Sequence, residues 1–361
     1  MNDITGRVSR ALEAIRRGEI VVVTGGAARE NEGDLIVAAS LATPEKMAFI
    51  IRHSSGIVCA PLTAEDARRL RLDPMVSAND APLGTAFTVS VDVRHGLTTG
   101  ISAEERAGTV RALANGNIGA SDFVRPGHVF PLIAKEGGVL MRSGHTEAAI
   151  DLCRLAELPP VGAIGELMND DGTVMRGAQV AAFAERHGLA LLSVADLIAY
   201  RQAREKLVER VAEFPVPTSV GTLQGYSFVT PFEPVNHLAL VEGSIGDGHG
   251  ILVRLHRADP IADAFTGGKV LQMALKRIAA EKRGVLVYLR DGTSGVPPTA
   301  LGAKAGSEDA RTRQWREVGL GAQILRDLGV HSIRLLASRE RHYVGIAGFG
   351  IEIETTEILE S

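Results

Sequence analysis

Apolar positions in the first half of the chain recur with helical and strand-like periods in alternation. The helical spacing predicts helices at 8–18, 44–53, 63–71, 102–114, 146–158 and 175–187. Strand-like apolar runs lie at 20–23, 35–39, 57–59, 87–91, 129–133, 139–141, 161–167 and 190–193. We expect 129–133 and 139–141 to pair across Gly137 and Gly138. This pattern predicts an α+β domain in which helices cover a mixed sheet.

The second half begins after a charged segment. Residues 194–211 predict an increasingly charged helix, and the segment FPVPT at 214–218 breaks it. We therefore predict domains at 1–206 and 207–361, with the charged helix as their connector. Beyond it, strands at 220–223, 226–229, 237–241, 251–255, 285–289 and 333–336 alternate with helices at 269–281 and 318–328. The alternation predicts a second domain of the α/β type.

Composition narrows the functional classes. The 361 residues are 45 % apolar and 23 % charged, which is typical of two globular domains. The net charge of −4 comes without a basic block, so we expect no nucleic-acid partner. Cys59 and Cys153 both lie in apolar surroundings, which favours buried reduced thiols over a disulfide or zinc site. The chain lacks an apolar signal core and a membrane-length apolar run, so we expect a cytoplasmic protein without a membrane partner.

One charged cluster separates the apolar runs 20–23 and 35–39. Its sequence is RENEGD at 29–34. Taken alone, it fits a solvated turn with a helpful glycine. It also fits a metal and sugar-phosphate site at a strand end, because hard divalent cations prefer carboxylate oxygens and arginine binds phosphate. The spacing leaves both interpretations open.

Other segments have chemical and structural interpretations of their own. The segment RSGHT at 142–146 precedes a helix, so Thr146 lies near an N-cap where free amides either meet an anion or form a plain cap. The segment RPGH at 125–128 is a rigid turn with groups suited to phosphate binding or proton transfer. Glu166 lies in an apolar strand, where a carboxylate needs a partner or a function. Residues 169–172 predict a turn.

Taken together, these segments resemble the 3,4-dihydroxy-2-butanone 4-phosphate synthase family of riboflavin biosynthesis. The matching motifs are RENEGDL at 29–35, HSSGIVCAPLT at 53–63, HGLTTGISAEER at 95–106, RPGHVFPL at 125–132, GGVLMRSGHTEAAIDL at 137–152 and GELMNDDGT at 165–173. They occur in the family's order and at its spacing, over roughly residues 5–202. A chance match of this extent is negligible, which favours the chemical interpretations.

The resemblance implies a reaction and residue roles. In the family, D-ribulose 5-phosphate rearranges and loses one carbon as formate, which leaves 3,4-dihydroxy-2-butanone 4-phosphate. By match to the motifs, His128 and Glu166 are expected to be catalytic, and Glu30 and His145 to hold the metal. The expected substrate-binding residues are Arg29, Glu30, Asp34, Arg142, Ser143, Gly144, His145, Thr146 and Glu166. The resemblance also implies a homodimer with Mg²⁺ or Mn²⁺, two ions per site, at the subunit interface.

One departure from the family pattern puts activity in question. The family places a run of acidic residues before its RENEGD motif, and this chain has Gly25, Gly26, Ala27 and Ala28 there. We expect weaker metal affinity or slower proton transfer, with the fold intact. The alternative is a non-catalytic assembly or regulatory protein of the same pathway.

The second half resembles GTP cyclohydrolase II at VRLHRAD (253–259), RGVLVY (283–288) and GLGAQILRDLG (319–329). That family binds zinc through three cysteines, whereas no cysteine follows Cys153 here. Other family catalytic positions are replaced by 291–295, Gln314, Val318 and 337–340. We therefore expect a domain that keeps the fold, without zinc and without cyclohydrolase activity.

Overall fold

The computed structural model describes residues 2–25, 32–81, 84–231, 233–290, 319–338 and 351–359. The chain divides into two compact units, Met1–Tyr200 and Arg201–Ser361. This division falls a few residues before the predicted limit at 206, inside a helix, and the domain limits stay a prediction.

The first unit is a mixed sheet with accompanying helices. Its helices are α1 (Asn2–Arg16), α2 (Pro44–His53), α3 (Ala64–Arg69), α4 (Ala103–Leu113), α5 (His145–Leu155), α6 (Ala178–Arg186) and α7 (Val194–Arg204), the last crossing the unit boundary. Its strands are β1 (Val21–Thr24), β2 (Gly33–Ala38), β3 (Val58–Leu62), β4 (Val91–Val93), β5 (Phe123–Ile133), β6 (Gly162–Glu166) and β7 (Ala190–Ser193). Among the described residues the strand order is β4-β5-β3-β6-β2-β1-β7. The β3–β5 and β1–β7 pairs are parallel and the others antiparallel, which confirms the mixed sheet.

Local signals place the helix ends of this unit. Thr43, Thr63 and Ser102 each accept a backbone amide hydrogen bond from the first turn of the helix that follows. Gly18 follows α1 with φ of 73°. All six residues of β2 are buried, because packing covers both faces of this inner strand.

Two segments of the first unit differ from the prediction. Residues 138–140 form a 3₁₀ turn instead of a strand, since Gly137 and Gly138 have φ of 86° and 63°. Residues 125–128 lie inside β5 instead of a turn. Arg125 donates hydrogen bonds to the carbonyl oxygens of Leu70, Ala120 and Phe123, so its guanidinium holds local structure.

The strand predicted at 87–91 is also shifted. The regular strand is β4 at 91–93, and Phe87 and Thr88 form only isolated bridges. Thr88 and Asp92, which alternate with the apolar residues, are themselves buried. Their burial is tolerated because the Thr88 hydroxyl donates to a backbone carbonyl and Asp92 accepts hydrogen bonds from His128.

The second unit contains another mixed sheet. Its elements are β8 (Glu209–Thr218), β9 (Gly221–Thr230), β10 (Glu233–Glu242), β11 (Ile251–Arg257), α8 (Lys269–Glu281), β12 (Gly284–Leu289), a helix at 319–327, β13 (Ser332–Ala337) and β14 (Glu352–Ile358). The order among the described strands is β14-β13-β11-β12-β10-β9-β8. Strands β14 to β12 pair in parallel and β12 to β8 antiparallel. The parallel half alternates with helices, as the sequence predicts for an α/β domain.

The predicted connector helix at 194–211 is too long. Helix α7 ends at Arg204. Residues 209–218 form β8, which includes the segment 214–218 that was predicted to end the helix. Pro215 and Pro217 are accommodated because β8 is an edge strand, where a missing amide costs no ladder hydrogen bond on the open side. The sequence did not predict β14, another edge strand, in which most residues are exposed.

Candidate active site

Two carboxylates face each other at one end of the first sheet. Asp34 in β2 and Glu166 in β6 are directly paired in the strand register, so their side chains lie on the same face. Glu32 lies close enough for its charge to act on Glu166, and it also forms a 2.8 Å ion pair with Arg176. Burial, together with the negative charges of Asp34 and Glu32, raises the pKa of Glu166 to about 7. Near neutral pH, Glu166 can therefore both accept and donate a proton.

His145, the first residue of α5, is fixed beside this carboxylate pair. Its Nδ1 lies 3.1 Å from Oδ1 of Asp34, and the residue is only 5 % exposed. Its Nε2 is buried and has no hydrogen-bond partner among the described residues. An imidazole with one nitrogen on a carboxylate and the other available is the usual arrangement of a metal-binding histidine.

The donor set fits a hard divalent cation. Asp34, Glu166 and Glu32 bring carboxylate oxygens to the end of the sheet where His145 lies, and oxygen and imidazole ligands are types that suit Mg²⁺ or Mn²⁺. Within the described ranges no three histidine, cysteine, aspartate or glutamate side chains complete a metal site by themselves. Arg29 and Glu30 lie outside the described residues, so Glu30 as a ligand stays a prediction. Of the non-acidic segment 25–28, only Gly25 is described, and its amide donates to the Glu32 carbonyl.

His128 lies toward the same end of the sheet. Val129 of β5 pairs with Val58, and the next residue of β3, Cys59, pairs with Ile164 of β6. When this register is extended by one residue beyond the N-terminal end of β3, His128 and Glu166 fall in the same row of the sheet, on opposite sides of the chain that leads into β3. Two strand spacings put the two backbones about 10 Å apart. The structure therefore brings the two predicted catalytic residues to one region of the sheet.

A buried aspartate orients the His128 imidazole. His128 Nδ1 lies 2.7 Å from Oδ2 of Asp92, and the His128 backbone amide donates to Oδ1 at 2.9 Å. The Asp92 side chain is buried, whereas that of His128 is 41 % exposed. Holding the proton on Nδ1 leaves Nε2 available for proton transfer. The sequence prediction missed Asp92, because only the pairing of β4 with β5 brings it to His128.

The segment 142–146 forms the N-terminus of α5. Gly144 is the N-cap, Ser143 precedes it, and Thr146 is buried in the first turn, near the cap as predicted. A Cβ atom on Gly144 would lie 2.5 Å from Nη1 of Arg142 and 2.6 Å from Oε2 of Glu147, so a larger residue here would displace the tips of these two side chains. Arg142 forms a 2.7 Å ion pair with the buried Glu147. A guanidinium and free helix amides therefore meet here, which suits an anion.

Cys59 is a second residue whose place near the site the sequence did not predict. The charges of Asp34 and Glu166 both act on its thiol, and burial raises the pKa of Cys59 to about 12. Both cysteines are free, Cys153 is buried and Cys59 is half-buried. The reduced state of the thiols stays a prediction, and Cys59 is less enclosed than predicted.

The second unit has a histidine–carboxylate cluster of its own. His256 Nε2 lies 3.0 and 3.1 Å from the two oxygens of Asp263, and the Tyr288 hydroxyl donates to Asp263 at 2.8 Å. The backbone amide of Asp259 also donates to Asp263. The cluster lies in the segment that resembles the cyclohydrolase zinc region, and it contains no cysteine. The replaced positions 291–295, Gln314, Val318, Arg339 and Glu340 lie outside the described residues.

In the part of the chain that the structure describes, no helix is long and apolar enough to cross a membrane.

Two family models match the chain in succession. Residues 9–200 match 3,4-dihydroxy-2-butanone 4-phosphate synthase, and residues 209–358 match GTP cyclohydrolase II. A monofunctional riboflavin biosynthesis protein of Arabidopsis thaliana, RIBA 2, chloroplastic, is 46 % identical over 96 % of this chain and 75 % of its own length. The riboflavin biosynthesis protein RibBA of Salinispora arenicola is 45 % identical over 96 % of this chain and 87 % of its own length.

Solved structures agree with these sequence matches. RibBX, a two-domain 3,4-dihydroxy-2-butanone 4-phosphate synthase from A. baumannii, has a TM-score of 0.82 and 37 % identity, covering 98 % of this chain and 99 % of that one. A 3,4-dihydroxy-2-butanone 4-phosphate synthase in complex with two magnesium ions has a TM-score of 0.54 and 47 % identity, covering 55 % of this chain and 97 % of that one. The chain therefore belongs to the 3,4-dihydroxy-2-butanone 4-phosphate synthase family, with a GTP cyclohydrolase II-like domain fused after it.

Proposed function

We propose that this chain converts D-ribulose 5-phosphate into 3,4-dihydroxy-2-butanone 4-phosphate and formate with Mg²⁺ or Mn²⁺. The supporting observation is the cluster of Asp34, His145 and Glu166, in which a carboxyl group with a pKa of about 7 lies beside a buried imidazole with an available nitrogen. Enolisation, skeletal rearrangement and carbon–carbon cleavage all require proton transfer next to a stabilised oxyanion. The cluster offers a proton-transfer group and a metal ligand together.

The 142–146 segment supports phosphate binding. Arg142 is held by Glu147 at the N-terminus of α5, and the amides of the first helical turn provide further donors. We assign the sugar phosphate to Arg142, Ser143, Gly144 and Thr146. This placement would direct the other end of the substrate toward His145, which begins the same helix.

Two groups would move protons in the reaction. Glu166 can exchange a proton near neutral pH because burial and neighbouring carboxylates raise its pKa. His128 would act through Nε2, since Asp92 holds Nδ1. Two separate groups allow one proton to be removed while another is delivered.

The metal would be held by His145 and, as predicted, by Glu30. When bound, it stabilises negative charge on the sugar oxygens. Asp34 orients the His145 ring through the 3.1 Å contact with Nδ1. Two ions per site belong to the proposal, supported by the neighbour described in complex with two magnesium ions, and so does the homodimer with the site at its interface that the family resemblance implies. Equilibrium dialysis and analytical ultracentrifugation test these two points.

The test of the reaction is formate release from D-ribulose 5-phosphate with Mg²⁺, compared with release by Glu166→Gln. We expect release from the parent protein and its loss in the variant and with EDTA. No release from folded parent protein would overturn the proposal and favour a non-catalytic role. Restoring carboxylates at 25–28 would then show whether that segment alone limits activity.

For the second unit, we propose that GTP cyclohydrolase II activity is absent. The support is the lack of any cysteine after Cys153 and the use of both Asp263 oxygens within a protein network. Without thiolate ligands the unit has no means of holding zinc in the family manner. Zinc content by mass spectrometry and a search for a pyrimidine product from GTP test this, and either signal would overturn it. The cytoplasmic location stays a prediction, since the Arabidopsis relative is described as chloroplastic.

A further inference from the structure

One carboxylate organises the loop between β4 and α4. Glu105 accepts hydrogen bonds from the backbone amides of Thr98 (2.7 Å), Gly100 (3.1 Å) and Ser102 (3.4 Å). It also accepts hydrogen bonds from the hydroxyl groups of Thr98 at 2.9 Å and Ser102 at 2.8 Å. The Ser102 contacts form an ordinary capping box, but the contacts with Thr98 and Gly100 reach beyond the helix start. Glu105 therefore fixes the whole loop to α4.

This loop packs directly on the Asp92–His128 pair. Gly100 has φ of 82°, and a Cβ atom there would lie 2.1 Å from Oδ2 of Asp92 and 2.7 Å from Nδ1 of His128. The Gly100 backbone thus covers the hydrogen bond that joins the two side chains. No other residue type could approach so closely.

Helix α4 also holds the strand that carries Asp92. The Thr109 hydroxyl group accepts a hydrogen bond from the backbone amide of Val93 at 3.0 Å. It donates one to the backbone carbonyl of Glu105, also at 3.0 Å. The buried Arg106 of this helix is attracted electrostatically to Asp92. One helix therefore supports both the covering loop and the carboxylate beneath it.

We propose that Glu105 is a positioning residue for His128, acting by holding Gly100 over the Asp92–His128 hydrogen bond. The inference rests on the proposed function, in which His128 moves a proton. Glu105 touches neither the reacting groups nor the phosphate segment among the described contacts. Its removal should therefore affect the chemical step more than substrate binding.

The kinetic test compares Glu105→Gln with Thr63→Ala. Thr63 is the N-cap of α3, so its loss removes a helix cap without touching the loop. We expect Glu105→Gln to lower kcat at least about tenfold with KM within about twofold, and Glu105→Asp to recover part of kcat. Thr63→Ala should lower the melting temperature and leave kcat unchanged. Equal kcat in Glu105→Gln and the parent would overturn the proposal.

A second readout does not depend on activity. The Nδ1–H proton of His128, bonded to Asp92, should give a downfield proton NMR signal that disappears in His128→Gln. Glu105→Gln should shift this signal or broaden it by exchange with water, whereas Thr63→Ala should not. An unchanged signal in Glu105→Gln would overturn the positioning role. If the signal changes in Glu105→Gln but the parent protein releases no formate, the positioning role is supported and the proposed reaction is rejected.

Discussion

Each unit of this protein contains a buried histidine paired with an aspartate at nearly the same distance, through Nδ1 in the first unit and through Nε2 in the second. His145 lies 3.1 Å from Asp34 in the first unit, and His256 lies 3.0 Å from Asp263 in the second. Both histidines are 5 % exposed, and each has one ring nitrogen without a partner among the described residues. The pairs differ in what surrounds the carboxylate.

In the first unit, further carboxylates crowd around the pair among the described residues, and one of them, Glu32, is also ion-paired with Arg176 at 2.8 Å. Glu166 faces Asp34 and Glu32, and this crowding contributes to its raised pKa. In the second unit, Asp263 accepts hydrogen bonds from His256, Tyr288 and the Asp259 amide, so its lone pairs are occupied within the protein. A buried histidine–aspartate pair alone is therefore not a site. Surplus carboxylates around it distinguish a site prepared for a cation and proton transfer from a structural network.

The largest expected effect separates the units by activity. Glu166→Gln should lower kcat for formate release by about 10²–10⁴-fold, because it removes a proton-transfer group without changing its size. Glu185→Gln, on an exposed position of α6, is the matched control and should leave kcat unchanged. Coupled formate assays measure both variants. Residual activity of Glu166→Gln near the parent value would remove Glu166 from the catalytic group.

Metal affinity should separate the two histidines. His145→Gln should weaken Mg²⁺ or Mn²⁺ binding by about 10²-fold, because it removes the nitrogen available as a ligand. His256→Gln should leave the affinity of the protein unchanged, since Asp263 is occupied by protein donors. Calorimetric titration or Mn²⁺ paramagnetic resonance gives both affinities. Equal losses in the two variants would show that the comparison of surplus charge is wrong.

Substitutions in the histidine–carboxylate cluster of the second unit should lower stability and leave activity unchanged. Asp263→Asn should destabilise the second unit by about 2–4 kcal/mol, because it disturbs a buried network that holds His256 and Tyr288. Asp247→Asn, which weakens an exposed pair with Arg283, should cost less, because solvent screens an exposed ion pair. Urea unfolding monitored by circular dichroism compares the two, and formate release should be unchanged in both. A smaller cost for Asp263→Asn than for Asp247→Asn would contradict the structural role of the cluster.

The smallest effect is a pH dependence of the first unit. The pKa of Glu166 rises from 4.5 to about 7 on folding, so the native state binds more protons than the unfolded state between these values. Its contribution to stability is therefore present below pH 4.5 and is lost as pH rises through 7. After allowance for solvent screening, the loss is about 1–2 kcal/mol, and Glu166→Gln should abolish it. Urea midpoints with EDTA at pH 5 and pH 8 measure this slope, and the Glu185→Gln variant should retain it.

Local signals in the sequence were enough to place most helices. Thr43, Thr63 and Ser102 mark the starts of α2, α3 and α4 because an N-cap depends on residues within one turn. The family motifs likewise pointed to Asp34, Glu166 and His145, which the structure brings together. Their chemical roles stay predictions, as do those of Arg29 and Glu30.

Long-range pairing decided what the sequence could not. The charge crowding around Glu166 arises because β2 pairs with β6, and His128 gains Asp92 because β4 pairs with β5. The predicted strand at 139–141 failed for a related reason. The Val139 amide donates to the buried Asp151 of α5, so its hydrogen bond goes to a helix instead of a neighbouring strand.

The sequence by itself therefore determined the family, the order of most elements and the residue types of the site. Tertiary structure decided which carboxylates lie together, and it placed the end of the predicted connector helix, residues 209–211, together with the predicted breaker at 214–218 in an edge strand. The physical reason is range. Caps and periodicity act over a few residues, whereas burial, pKa and hydrogen-bond partnership depend on groups that only the completed fold brings together.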